Sequence, residues 1–321
     1  MLRFSLAFAL AAMASGAPAQ AQTFPSQPVK LIVTFAPGGT TDVLARAVAQ
    51  KMSENLKESV VVDNRPGAAG NLGMGVLARA APDGHTIAIG TLSTLAISPA
   101  ASKNMPYNAR RDFAPVAMMT EVPVVLAVPA DFPANNLAEF VDYAKKNPTK
   151  MNFSSNGAGS STHMAGELLK RKYGFEMAHV PQGGDAPILN SLMGGHIQLG
   201  IIAAPPAVEF AKAGKIKLLA IISAKRNAAL PDVPTLGEAG APEVVGSTWF
   251  GFMVPAGTPN NIVALLNREL NRAMEAPDTK KVFTIGGLEP TMMSVEQFGA
   301  FVASEQDRWA TIVQTLGVTQ E

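Results

Sequence analysis

The segment Val29-Lys-Leu-Ile-Val-Thr-Phe-Ala-Pro-Gly-Gly-Thr-Thr-Asp42, continuing to Leu56, sets the architecture of the chain. Val29 to Thr34 is a short apolar, β-branched run, the pattern of a buried strand. A turn with proline and two glycines follows. From Thr41 to Leu56 the apolar residues Leu44, Val48, Met52 and Leu56 keep a four-residue spacing, which lines one helix face. Asp42 and Arg46 stand four apart outside that stripe, placed to pair on the helix surface. The unit is therefore strand, glycine-rich turn, helix. Outward from it, further strands are expected at 60–62, 86–89, 124–128, 177–180, 197–202 and 217–222, and helices at 136–146, 162–173, 186–193, 260–275 and 294–316. This alternation predicts an α/β protein of mostly parallel sheets with helices on both faces, where ligands sit beyond the carboxyl ends of the strands.

Composition narrows the function. The chain has 321 residues, 26 basic and 25 acidic side chains and no cysteine, with 47% hydrophobic and 16% charged residues. Charge this balanced, with no run of Lys or Arg, excludes a nucleic-acid partner as the main business. Apolar residues recur throughout, which excludes a disordered chain, and the length fits about two domains. Residues 1–21 read as a secretory signal peptide: Arg3 supplies the positive start, Phe4 to Ala14 the apolar stretch, and Ala19-Gln-Ala21 the small-residue cleavage pattern. That stretch is shorter than the roughly 20 residues a membrane helix needs. Removing Arg3 with the leader leaves a mature chain of zero net charge. Without cysteine there is no disulfide framework, no lipid acceptor and no thiolate chemistry, so stability must come from the core.

Two loops carry the binding chemistry. In Phe35-Ala-Pro-Gly-Gly-Thr-Thr-Asp42 the glycines Gly38 and Gly39 permit turns closed to other residues and bring main-chain amides to a ligand, while the helix that follows adds its positive dipole end. Thr40, Thr41 and Asp42 stand at its entry. Ser155-Asn-Gly-Ala-Gly-Ser-Ser-Thr-His163 repeats the ingredients with Gly157, Gly159, Ser160, Ser161 and Thr162. Each loop alone is also what a capped strand-to-helix turn with nothing bound looks like. Two matched loops point to an anion held from both sides.

Other motifs fail on their chemistry. Gly73-Met-Gly-Val-Leu-Ala78 fits part of a dinucleotide fingerprint, yet a turn-rich stretch separates it from the nearest strand and no acid stands at the ribose position. A phosphate-binding P-loop needs Lys after its glycine, where this chain has Thr40. His85, His163, His179 and His196 are scattered without metal-ligand spacing, so no metal site and no cofactor are expected. Ser160 or Ser161 with His163 could serve as nucleophile and base, but the strained Gly-x-Ser-x-Gly elbow is missing, and a capping serine with a first-turn histidine explains them better.

Together these motifs resemble the solute receptors of tripartite tricarboxylate transporters, the Bug family. The likeness runs through Phe35–Asp42, Val61-Val-Asp-Asn-Arg-Pro-Gly-Ala-Ala-Gly-Asn-Leu-Gly73, Ala81-Pro-Asp-Gly-His85, Gly157–His163, His179-Val-Pro181, Ser223-Ala-Lys-Arg226, Leu230-Pro-Asp-Val-Pro-Thr235, Trp249-Phe-Gly251 and Pro255-Ala-Gly257, in family order across the mature chain. The resemblance implies a two-lobed periplasmic binding protein fold of type II. Each lobe would be a mixed, mostly parallel sheet flanked by helices, and two crossover strands would join them near 121–125 and 246–250. Residues 22–122 with 248–321 would form one lobe and 123–247 the other. It implies a monomeric periplasmic receptor that closes on a small organic carboxylate and delivers it, unchanged, to integral membrane transporter subunits. Backbone amides of the two loops would hold the carboxylate, and Thr91 and Ser93, after the strand at 86–89, would reach its far end. The runner-up is a carboxylate-processing hydrolase using Ser161 and His163.

Two departures from the family pattern bear on the ligand. Ile202 and Ala203 stand where many relatives carry Asp or Asn, and Gln182 where Tyr is common. Loss of that acid removes the partner of a ligand ammonium and argues against amino-acid ligands. Of the two tryptophans, Trp309 is expected inside a C-terminal helix, and Trp249, in the returning crossover, is expected to report closure of the lobes.

Overall fold

In a computed structural model the described residues are 24–317, apart from Ala224, Glu243, Val245 and Gly246. The leader 1–21 and Gly246, the start of the expected return crossing, lie outside them. The strands are β1 (Val29–Val33), β2 (Val60–Asn64), β3 (Thr86–Thr91), β4 (Phe113–Val122), β5 (Val124–Pro129), β6 (Asn152–Ser155), β7 (Ala178–Pro181), β8 (Leu199–Ala203), β9 (Ile216–Ile222) and β10 (Thr248–Pro255). The helices are α1 (Thr40–Leu56), α2 (Asn71–Leu77), α3 (Ser98–Ala101), α4 (Leu137–Lys146), α5 (Ser161–Tyr173), α6 (Asp185–Met193), α7 (Ala204–Lys212), α8 (Asn260–Glu275), α9 (Pro277–Ile285) and α10 (Val295–Leu316). A π-helical turn, Ser93–Ile97, follows β3.

The strands form two five-stranded sheets, ordered β2-β1-β3-β10-β4 and β7-β6-β8-β5-β9. Each has a parallel part, β2-β1-β3 and β7-β6-β8, and a long strand running against it, β10 and β5. Period-two alternation explains why both faces of each sheet are covered. Val29, Leu31 and Val33 of β1 pack with Leu44, Val48 and Met52 of α1 and with Leu266 and Leu270 of α8. Their neighbour Ile32 turns the other way, into a cluster with Met74, Leu77, Phe298 and Trp309. In the second sheet Val124, Leu126 and Val128 meet Phe140 of α4 and Leu169 of α5, while Val125 and Ala127 meet Ile188 of α6 and Val208 of α7. Both lobes are thus three-layered, and truncating a fully buried residue such as Met52 to Ala would cost about 2–5 kcal/mol.

The helices from the periodicity all form. α2, α3, α7 and α9 fall outside the expected spans; in α7 and α9 the prolines Pro205, Pro206 and Pro277 lie in a first turn, where the missing N–H had no helical partner to lose. The chain passes between sheets at Pro123, the one residue separating β4 from β5. It returns between β9 and β10. Thr248 pairs with Val122 and Ile222 with Val124, so the two crossings stand side by side at the junction of the sheets.

Candidate functional site

Helix entries from both lobes converge on one cleft. The turn after β1 leads into α1, the turn after β6 into α5, the turn after β7 into α6, and the π-helical turn after β3 presents Ser93. The cavity between them is lined by residues including Gly39, Thr40, Thr41, Thr91, Ser93, Asn156, Ser161, Thr162, Asp185, Ala203 and Phe250. Hydroxyls dominate, and no Lys, Arg or His is among the lining residues. The space open to the centre of a water molecule is narrow, about 20 Å³. Four hydrogen bonds explain that narrowness by tying the lobes together: Ala36 N to Gly183 O (3.2 Å), Thr40 Oγ1 to Asp185 Oδ2 (3.0 Å), Ser161 N to Ser93 Oγ (3.0 Å) and Ser98 Oγ to Gly159 O (3.4 Å).

The first turn is built around a charge. Gly38 adopts φ 81°, the left-handed region, whereas Gly39 is extended at φ −82°. The turn thus requires glycine at Gly38 and not, as both glycines had suggested, at Gly39. The Asp42 carboxylate accepts from Gly38 N (3.0 Å), Asn64 Nδ2 (2.9 Å) and Arg46 Nε (3.0 Å). Burial pushes its pKa up, but the Arg46, Gly38 and Asn64 hydrogen bonds and the Arg46 charge together hold it below the ordinary value of 3.8. Asp42 therefore faces the scaffold and is absent from the cavity wall, as is Gly38. No side chain caps α1, so its first amides stay available to the cleft.

The second turn is built from neutral groups. Ser160 caps α5 by accepting from His163 N (3.1 Å), Thr162 Oγ1 accepts from Asn156 N (3.0 Å), and His163 Nδ1 accepts from Gly159 N (3.1 Å). Gly157, at φ 117°, approaches the other lobe so closely that a Cβ there would lie 3.1 Å from the backbone of Ala69. Ser161 and Thr162 line the cavity, whereas Gly159 and Ser160 do not and Gly157 lines a neighbouring one. His163 stacks on His179 at 4.0 Å between ring centroids. Burial, then the Lys170 charge, depresses the His163 pKa to about 4. For His179 burial and then His163 itself do the same, also to about 4.

This geometry does not support the hydrolase alternative. His163 Nδ1 is occupied by Gly159 N, and Nε2 points toward Glu167 Oε1 at 3.8 Å, so neither ring nitrogen serves the Ser161 hydroxyl. Among the described residues no group of three or more His, Cys, Asp or Glu could hold a metal ion.

The residue that sequence reasoning missed is Asp185. It opens α6, is 5% exposed and lines the cavity. Its Oδ1 accepts from Asn156 Nδ2 (3.1 Å) and Ala203 N (3.2 Å), and its Oδ2 from Thr40 Oγ1 (3.0 Å) of the other lobe. The cleft thus holds an acid after all, supplied from position 185 and not from 202–203, which removes the argument against amino-acid ligands. Ala203 lines the cavity, whereas Ile202 packs behind it with Val125. Gln182 donates from Nε2 to Ser191 Oγ (2.9 Å) and lines a neighbouring cavity between the lobes, which shares Phe35 and Asn156 with the first. The Trp249 indole N–H donates to Glu305 Oε2 (3.2 Å) and its ring packs on Phe298 and Phe301 of α10 in its own lobe; it also lines a second cavity with Ile222, Thr235 and Leu236 of the other lobe, while its strand neighbour Phe250 faces the cleft.

Comparison with known proteins places the chain. Residues 44–318 match the model of the tripartite tricarboxylate transporter family receptor. Protein BugT of Bordetella pertussis is 35% identical over 302 residues, covering 94% of this chain and 93% of BugT. The solved structure of periplasmic binding protein BugD superposes with a TM-score of 0.89 at 32% identity, covering 93% of this chain and 100% of that one. MatC from Rhodopseudomonas palustris with bound malate gives 0.85 at 34% identity, covering 90% and 100%. The opposed glycine-rich turns, the two mixed sheets and these likenesses agree, and the chain belongs to the tripartite tricarboxylate transporter receptor family.

Proposed function

We propose that the chain is an exported receptor that captures a small organic carboxylate between its lobes, 22–122 with 248–321 and 123–247, and delivers it chemically unchanged to the integral membrane subunits of a tripartite tricarboxylate-type transporter. The observation that carries this reading is the convergence of three helix entries, α1, α5 and α6, with their hydroxyl side chains on a cavity between two lobes. Helix entries concentrate unpaired N–H groups and positive dipole ends, which favour a bound anion without any basic side chain. Gly39, Thr40, Thr41, Thr91, Ser93, Ser161 and Thr162 contact the ligand, and Gly38, Asp42, Gly157, Gly159 and Ser160 shape the turns. Pro123 and the stretch entering Thr248 act as hinges. The leader 1–21 directs the chain to the periplasm, where it works as a monomer. Malate bound to MatC supports the ligand class.

The test is a thermal-shift and calorimetric screen of the mature protein against mono-, di- and tricarboxylates and amino acids, with mass spectrometry of the recovered ligand. A carboxylate that raises the melting temperature with concentration and returns intact is the expected result. Stabilisation by no carboxylate, or conversion of the ligand, overturns the reading.

A further inference from the structure

We infer that Asp185 and Asn156 make this cleft selective for a carboxylate that also carries an ammonium group, against a dicarboxylate of the same length. The inference rests on the reading of the cleft as a carboxylate site and names the second end of its ligand. Three observations carry it.

The first is charge. Asp185 is the one acid among the residues lining the cavity, and no base accompanies it. A second ligand carboxylate would meet this anion in a narrow, largely closed space with no cation to offset the repulsion. An ammonium would be attracted there.

The second is acceptor accounting. A carboxylate offers about four acceptor positions. Those of Oδ1 are taken by Asn156 Nδ2 and Ala203 N, and one of Oδ2 by Thr40 Oγ1, which leaves Oδ2 able to accept once more. Asn156, whose Nδ2 holds Asp185 Oδ1, lines the same cavity, and its own Oδ1 is buried with no hydrogen-bond partner. The orientation of that amide is fixed by its neighbour, since turning it would set oxygen against the Asp185 oxygen. A buried acceptor without a donor is costly, and an ammonium supplies three N–H groups.

The third is asymmetry between the lobes. The entry of α1 has no side-chain cap, which leaves donors for the ligand carboxylate. In α5 two of the first amides are already used, Ser161 N by Ser93 Oγ and His163 N by Ser160 Oγ. The uncapped entry of α6 adds donors in the second lobe, but only that lobe also presents acid and amide oxygens, those of Asp185 and Asn156, so an ammonium is received there and the ligand carboxylate is left to the entry of α1.

The experiment is calorimetry of the purified mature protein with matched pairs that exchange one carboxylate for an ammonium: malonate and glycine, succinate and β-alanine, glutarate and 4-aminobutanoate, methylmalonate and alanine. Propanoate and butanoate serve as plain acids. In at least one pair the amino acid should bind at least tenfold more tightly than its dicarboxylate. Asp185→Asn should erase that preference by weakening the amino acid tenfold or more while leaving the dicarboxylate equal or tighter. Asn156→Ala should shift the ratio the same way, by a smaller factor, and stands in if Asp185→Asn fails to fold by its melting profile. A wild type that prefers the dicarboxylate or the plain acid, or an Asp185→Asn that weakens all ligands equally, overturns the inference and leaves the carboxylate reading intact. Binding of none of these acids by the wild type overturns the inference, and the carboxylate reading falls with it only if the wider screen of mono-, di- and tricarboxylates also finds no binder.

Discussion

The two glycine-rich turns look alike in sequence and are stabilised by different physics. The turn before α1 is held by an ionised carboxylate, Asp42, gathering Gly38 N, Asn64 and Arg46. The turn before α5 is held by hydroxyls and a neutral imidazole, with Ser160, Thr162 and His163 satisfying its amides. One turn is therefore fixed by charge and tolerates space around its glycine, since a Cβ at Gly38 meets nothing within 4 Å. The other is fixed by close fit, because Gly157 lies against Ala69 of the opposite lobe. Matched motifs need not mean matched sensitivities, and the difference can be measured.

The largest expected effect is at Gly157. Valine there would have to adopt φ 117° and push against the Ala69 backbone, so the lobes could not close. Carboxylate affinity should fall by about a thousandfold, some 4 kcal/mol, with the melting temperature reporting a smaller loss. Retained affinity in calorimetry would break the contrast between a fitted turn and a charged one.

Next comes acid sensitivity of the α5 turn. His163 and His179 have folded pKa values of about 4 against 6.5 when unfolded. Between those values the unfolded chain binds more protons, so the stability these groups contribute is complete above about pH 6.5 and lost as pH falls toward 4. The loss should be on the order of 3 kcal/mol for the pair. It is less than twice the single contribution, because part of the His179 shift is the charge of its neighbour. Urea unfolding from pH 7 to pH 4 measures it, and His179→Phe should flatten the slope. Asp42 acts in another window: its contribution is present above 3.8 and disappears only as pH drops through its lower folded value.

A smaller effect is expected for Asp42→Asn. The amide accepts through one oxygen only and brings N–H groups toward Arg46 and Asn64, so stability should drop by about 1–2 kcal/mol. Chemical denaturation would detect it, and an unchanged midpoint would show that Gly38 and Asn64 hold the turn without the charge. The smallest effects separate the adjacent glycines. Gly38→Ala imposes a left-handed alanine, about 1 kcal/mol, whereas Gly39→Ala, extended and with Ala36 O 3.7 Å from the added Cβ, should change stability by less than about 0.5 kcal/mol. Equal losses at both would overturn the assignment of the turn residue.

What sequence alone determined is what local physics encodes. The stripe Leu44, Val48, Met52 could only be a buried helix face, and the alternation of Val29, Leu31 and Val33 with Ile32 required cover on both sides of a strand. The two turns were recognisable because glycine, hydroxyl residues and a helix start are written within a few positions of one another. Thr40, Thr41, Ser161 and Thr162 meet in the cavity as that pattern led one to expect, and Ser93 reaches across to Ser161 N. Tertiary structure decided the rest, because it rests on contacts between distant positions. Asp185 reads locally as a helix-start acid after two glycines. It becomes the charge of the cleft only when α6 is brought against Thr40, 145 residues away, and Asn156, 29 residues away. Trp249 and Phe250 are neighbours in sequence, yet strand alternation sends one into α10 and the other into the cleft. Local propensity fixes which elements form; the electrostatics of a site between two lobes is set by which of their ends the packed sheets bring together.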